Sequence, residues 1–317
     1  MRRETLNLAN RLFKQQGLVV FVLIGLFAAF FVEGFVSRPN IINVVRQGSL
    51  VFSFSVAMTI AMLVGGLNLS IGSVGALAGA VAATQLVLGN EVLGVLLGLT
   101  VGTLSGIVIG LVIGFFNIPH FIMTYGMMKI AQGMTLIVTG GMNIYGFSSE
   151  FRFLGIGFIG NIPFPVILII GILIIFVFIT GSTTLGRSIY AVGSNQLASR
   201  FSGIPTRKVL LYTYGLSGLM AALAGVLFIA RMGSAEPIMG EDWPLTAIAA
   251  SVIGGTTFNG GEGSVLQTFF GAMTVAIIYN VLNLFGVSSS WQQLAIGTII
   301  IVSILFNKYK SRLLKLK

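Results

Sequence analysis

The sequence predicts an all-α, polytopic membrane protein of about ten transmembrane helices, and three observations carry that prediction. Only 8% of the 317 residues are charged and 56% are hydrophobic, against ~25% and ~45–50% in soluble domains. So little charge cannot cover a water-facing surface. The charges are also widely spaced, with 44 uncharged residues between Arg46 and Glu91 and 45 between Glu262 and Lys308, each long enough for two spans of about 20 residues. Finally, 42 residues are Gly, a residue that lets helices approach closely in lipid or breaks them where they line a cavity.

In chain order, the 18 uncharged residues between Lys14 and Glu33 predict a span at 18–36. No small-residue cleavage site follows it, so it is read as retained. The 44-residue run holds spans at 50–64 and 72–89. The 37 residues between Glu91 and Lys129, and the 20 between Lys129 and Glu150, give 92–115 and 121–139. The 34 between Arg152 and Arg187 give 164–181, the 22 between Lys208 and Arg231 give 209–231, and the 19 between Asp242 and Glu262 give 244–256. Spans at 264–285 and 291–307 share the last run, and residues 1–317 are read as one transmembrane domain.

Orientation follows from the bases. Arg2, Arg3, Arg11 and Lys14 lie in the tail 1–16, Arg187, Arg200, Arg207 and Lys208 in a polar loop at about 182–208, and Lys308, Lys310, Arg312, Lys315 and Lys317 in the tail 308–317. Those are 13 of the 18 Lys and Arg, and the positive-inside rule puts all three segments, hence both termini, in the cytoplasm. Six of the eight acids, Glu33, Glu91, Glu150, Glu236, Glu241 and Asp242, then fall outside. The net charge of +10 is spread over loops and tails rather than gathered on a soluble domain, so nucleic acid is not an expected partner; the lipid bilayer is.

Catalytic chemistry finds little to work with. The absence of Cys excludes thiolate metal sites, and a single His, His120, leaves no metal cluster to assemble. Gly215-Leu-Ser-Gly218 matches an intramembrane serine-protease signature, but such a serine needs a His on a later helix, and His120 is earlier. The motif is read as packing. The run Gly254–Gly263 lacks the Gly-Lys-Ser/Thr of a phosphate-binding loop. No catalytic residue, metal or cofactor is therefore assigned to the chain. Glu262 is the sole acid outside the outer loops and N-terminal tail, which argues against proton coupling and leaves sodium held by carbonyls and hydroxyls open.

Three patterns point to transport. Met62-Leu-Val-Gly65-Gly66-Leu-Asn68-Leu-Ser70-Ile-Gly-Ser73 and Ser251-Val-Ile-Gly254-Gly255-Thr256-Thr-Phe-Asn-Gly-Gly-Glu-Gly-Ser264 each leave an apolar run through a Gly pair and re-enter one after Gly-Ser. Paired interruptions in related halves mark a substrate path, with Gly65, Gly66, Asn68, Ser70, Gly254, Gly255 and Thr256 along it; ordinary turns are the alternative. Gly94, Gly98, Gly102, Gly106, Gly110 and Gly114 recur every four residues. Each step advances ~40° around a helix, so they form a slowly winding groove for close packing against the same chain or a partner. In the basic loop, Asn195 reads as the N-cap of a short amphipathic helix carrying Leu197, Ala198, Arg200 and Phe201, stopped by Gly203 and Pro205. It suits a groove on a soluble partner or the lipid head groups.

At this loop the chain resembles the permease subunits of bacterial sugar ATP-binding-cassette (ABC) importers of the ribose/galactose/xylose type. Leu185-Gly-Arg187, Tyr190-Ala-Val-Gly193-Ser194-Asn195 and Ser202-Gly203-Ile204 match the family's cytoplasmic signature. Both Gly-rich segments match as well, as do Asn280, Leu282-Asn-Leu and Gly286-Val-Ser-Ser. The resemblance implies a permease that pairs with a second copy or paralogue, with cytoplasmic ATPase subunits that hold the ATP and Mg, and with an extracytoplasmic sugar-binding protein. It implies that Arg187, Tyr190, Gly193, Ser194, Asn195, Arg200, Ser202 and Gly203 form the ATPase-coupling loop. Three positions depart from the family: Asn68 replaces an acid, Trp243-Pro-Leu-Thr246 replaces Glu-Leu-Asp, and Gln132 stands where an Arg is common, with Lys129 nearby. A sodium-coupled transporter of a small polyol, or an ABC permease for a nucleoside or signalling molecule, remains the alternative.

Overall fold

The uncharged runs become helices in the order the charges dictate. In the computed structural model, which describes residues 15–315, these are α1 Gln16–Phe31, α2 Arg38–Leu63, α3 Ile71–Leu86, α4 Glu91–Phe116 and α5 His120–Thr139. After the short α6 Ser149–Ile156 come α7 Phe164–Ser182, α8 Thr184–Ser194, α9 Gln196–Phe201 and α10 Thr206–Met232. The chain closes with α11 Trp243–Ile253, α12 Val265–Leu284 and α13 Ser289–Lys315. The basic tail residues Arg2, Arg3, Arg11, Lys14 and Lys317 lie outside the described residues.

Each of the ten expected spans corresponds to a helix. Six, α2, α4, α5, α7, α10 and α12, are long and apolar enough to cross a membrane, and α1, α3, α11 and residues 289–302 of α13 are shorter apolar helices. The chain is an all-α polytopic membrane protein. Four two-residue strands staple loops: β1 Ile144–Tyr145 pairs antiparallel with β4 Ser234–Ala235, and β2 Phe158–Ile159 with β3 Ile162–Pro163.

Burial sorts the helices into two shells. The most apolar windows of α2 and α10 are 83% and 78% buried, whereas those of α4, α5 and α7 are 33%, 22% and 28% buried. The inner pair supplies the large enclosed side chains Phe52, Met58, Ile60, Leu63, Leu210 and Tyr214. The outer helices turn Leu96, Leu104, Ile137, Ile174 and Phe178 outward, as lipid-facing helices do.

Three boundaries differ from the expectation. α2 begins at Arg38, not residue 50, because its bases find partners at the helix end: Arg46 Nη2 donates to the Ile156 carbonyl at 2.5 Å and its guanidinium lies 4.4 Å from the Phe158 ring centroid. α13 continues helically through residues 308–315, taken from sequence as a tail. The polar loop carries an additional helix, α8, capped by Thr183, whose side chain accepts from Gly186 N at 3.1 Å.

The Gly ladder packs within the chain. Gly94 and Gly98 face the carbonyls of Ala82 and Ala78 on α3, at 2.8 and 2.7 Å from where a methyl carbon would stand. Gly102, Gly106, Gly110 and Gly114 face α10, at Gly218 and Ala222, Tyr214, Leu210 and Leu211, and Arg207. The slow winding of a four-residue repeat thus carries one groove from one neighbour to the next.

Candidate functional site

Of the shorter apolar helices, α3 and α11 lie against the inner pair. α3 has 16 residues and α11 has 11, about 24 and ~16 Å long at 1.5 Å per residue, less than the ~30 Å of a bilayer core. Residues 64–70 precede α3 without helical structure and double back beside α2. Ser217 Oγ on α10 donates to the Ala57 carbonyl at 2.7 Å and accepts from Asn68 Nδ2 at 2.8 Å, which pins the returning strand. The starts of α3 and α11 meet: a methyl at Gly72 would collide with the Gly240 carbonyl, and one at Gly75 would lie 2.7 Å from the Trp243 ring. Trp243 itself stacks on Phe54 at 5.1 Å between centroids.

The residues expected along a path are mostly enclosed. Asn68, Ser70 and Thr256 are at most 1% exposed. The Asn68 Oδ1 accepts from Ser70 N at 3.1 Å and from Ser70 Oγ at 2.7 Å. The Thr256 Oγ1 is buried without a hydrogen-bond partner. Gly254 packs against Gln267 and Thr268 at the start of α12, and Gly255 lies near Gln16. Gly66 lies beneath a bonded pair, His120 Nδ1 and Tyr214 Oη, 2.6 Å apart. The lone His is thus engaged with Tyr214, and the Ser217 of the protease-like motif is held by Asn68 and Ala57.

The second Gly-rich segment is the connection between α11 and α12, where the sequence places it between spans 244–256 and 264–285. It lies at the same end of the bundle as the end of α2 and the polar loop. Gly261 N donates to the Leu63 carbonyl at 3.0 Å, Gly65 stands beside Gly260, Gly193 of α8 touches Leu63 and Gly261, and Ser194 touches Gly261. Tyr190 Oη donates to the Gly263 carbonyl at 2.9 Å. Burial pushes its phenol pKa up, so it stays a donor at neutral pH. Thr59 Oγ1 on α2 extends this tie, bonded at 2.9 Å to both Ser251 Oγ of α11 and Thr268 Oγ1 of α12.

The loop beyond this contact is open. Asn195 caps α9, its Oδ1 accepting from Ala198 N at 2.9 Å, and Gly203 ends the turn with φ +82°. Leu197 and Phe201 are 64% and 84% exposed, so the apolar side of α9 faces away from the chain. Arg187 Nη1 donates to the Ser182 carbonyl at 3.3 Å, and Ser202 N donates to the Ala198 carbonyl at 2.9 Å. A cleft of about 260 Å³ beside α9 is lined by Asn117, Gln196, Leu197, Arg200, Thr206 and Arg207. Its charged lining residues are both Arg.

At the opposite end, three further bases gather that sequence reasoning passed over. Arg46 and Arg231 are close enough for their charges to repel, Arg152 packs beside Gly233, and the Nε atoms of Arg46 and Arg152 are buried without a hydrogen-bond partner. Arg152 and Arg231 lie near Glu150 and Glu236 in the sequence, whereas Arg46 has no acid near it. On α5, Lys129 Nζ donates to Gln132 Oε1 at 3.1 Å, so the two share a face as their spacing requires. Among the described residues no group of His, Cys, Asp and Glu could hold a metal ion.

Residues 40–304 match the family model described as the branched-chain amino acid transport system / permease component. The chain is 34% identical over 318 residues to the ribose import permease protein of Haemophilus influenzae, covering 98% of each chain. It is 38% identical over 280 residues to that of Bacillus subtilis, covering 87% of each. It is also 33% identical to the D-allose transport system permease protein of Escherichia coli, covering 93% of this chain and 91% of that one. No solved structure matches.

Proposed function

The chain belongs to the branched-chain amino acid transport system / permease component family, and from that premise we propose that it carries a monosaccharide inward as the permease of an ABC importer. The family description mentions branched-chain amino acids, whereas the relatives similar along nearly the whole chain are permeases for ribose and D-allose. The sugar reading follows the full-length relatives. A sugar is uncharged, and the enclosed hydroxyl and amide groups between α2, α10, α11 and α12 are of the kind that suit it. In this reading Asn68, Ser70 and Thr256, enclosed here, meet the solute when the helices part.

The observation that carries the energy source is α9, a capped helix with its apolar side chains turned outward beside a cleft whose charged lining is Arg alone. This is the shape of an element that docks into a groove on a soluble partner with acidic groups. The partner is a cytoplasmic ATPase that holds the ATP and Mg, and this loop with both termini faces the cytoplasm. Arg46, Arg152 and Arg231 then lie at the outer end, where a cluster of positive charge suits an acidic surface on the solute-binding protein. A second permease copy or paralogue completes the pathway.

Arg200→Glu places an acid in that cleft. The expected outcome is that the ATPase no longer co-purifies with the permease and ATP-driven uptake is lost. Unchanged co-purification and uptake would overturn the assignment of α9.

A further inference from the structure

At the loop end of the bundle, three separate stretches of backbone touch without side chains between them. Gly261 N donates to the carbonyl of Leu63, the last residue of α2. A methyl at Gly193 of α8 would collide with that same oxygen and stand 2.6 Å from Gly261 N. One at Gly260 would stand 2.6 Å from Gly65 N and 2.8 Å from the Gly193 carbonyl, and one at Gly261 would press on Ser194. Tyr190 closes the fourth side through its bond to the Gly263 carbonyl.

We propose that the end of α2, the α11–α12 connection and the C-terminal half of α8 form one rigid joint, with Tyr190, Gly193, Gly260 and Gly261 as the positioning residues that make transport follow ATP hydrolysis. Backbones this close leave no layer of side chains to slide, and packed interiors shift between discrete arrangements rather than deform. A displacement of α8–α9 therefore reaches α2, α11 and α12 together. Those three helices are already tied by the Thr59, Ser251 and Thr268 hydroxyls. The glycines at the two interruptions serve here as contact surfaces of a joint.

The inference rests on the reading that α9 contacts the ATPase, and the readout separates the two. In proteoliposomes holding permease and ATPase, with binding protein and ribose outside, the measured quantity is ATP hydrolysed per ribose carried, alongside co-purification of the ATPase. Gly193→Ala forces α8 off Leu63 and should raise that ratio by about tenfold, within the range of allosteric couplings. Tyr190→Phe removes one hydrogen bond and adds no volume, and should raise it by about threefold. It decides the matter if Gly193→Ala fails to fold, since a merely stabilising bond would lower the amount of complex without changing the ratio. A folded variant of either kind with the native ratio overturns the joint alone. A native chain that binds no ATPase overturns the underlying reading and the joint with it.

Discussion

Asn68 replaces the acid usual in the family's first Gly-rich segment, and its surroundings explain the amide. The Ser217 hydroxyl spends its proton on the Ala57 carbonyl, so it can only accept from position 68, and Asn68 Nδ2 supplies the donor. A carboxylate there would face a lone pair at full burial. Asn68→Asp and Asn68→Ala should each cost about 1–3 kcal/mol, the range for a buried polar group left unpaired. The readout is the thermal unfolding midpoint of the detergent-solubilised protein, and midpoints equal to the native one would contradict the assignment. The Asn195 cap was legible in sequence because cap, apolar residues and Gly stop lie within nine positions. Its neighbours Gly193 and Ser194 were legible as part of the loop, but their contacts with Leu63 and Gly261 were not. Those partners are far away in sequence, and no local pattern marks them.

Among the elements, the Gly ladder shows where periodicity suffices and where it stops. The repeat announces a close-packed groove, and the structure supplies the partners: α3 at one end, α10 along the rest. Gly106 is the tightest test, since a side chain there would drive into the Tyr214 carbonyl. Gly106→Val should therefore destabilise the α4–α10 contact by about 1–3 kcal/mol, as overpacking does, whereas Gly126→Ala on α5, where a methyl meets nothing within 4 Å, should not. Detergent stability of the two variants side by side checks the contrast; equal stability would refute it. The short helices were less legible. Residues 64–70 were legible as an interruption, because Gly65, Gly66 and Asn68 part the spans expected at 50–64 and 72–89, but that the stretch doubles back beside α2 was not. The second Gly-rich segment was legible as lying between the spans expected at 244–256 and 264–285, but its packing against Leu63 and Gly193 was not.

For the whole molecule, the two ends of the bundle differ in a way that composition alone could not convey. One end presents α9 and an Arg-lined cleft; the other gathers Arg46, Arg152 and Arg231. Between them, α2 and α10 form an enclosed inner pair, and α4, α5 and α7 meet the lipid. The fold class and the ten apolar segments were readable from charge spacing because lipid excludes charge along the whole span. The division into shells depends on packing between distant helices and was not. In the proposed function this chain moves a sugar using energy from a partner. Uptake of radiolabelled ribose into proteoliposomes, with ATPase subunit, internal ATP and external binding protein supplied or withheld singly, tests it most directly. Accumulation is expected only when all three are present, and none is expected from a sodium gradient; accumulation with sodium and without ATP would contradict this function.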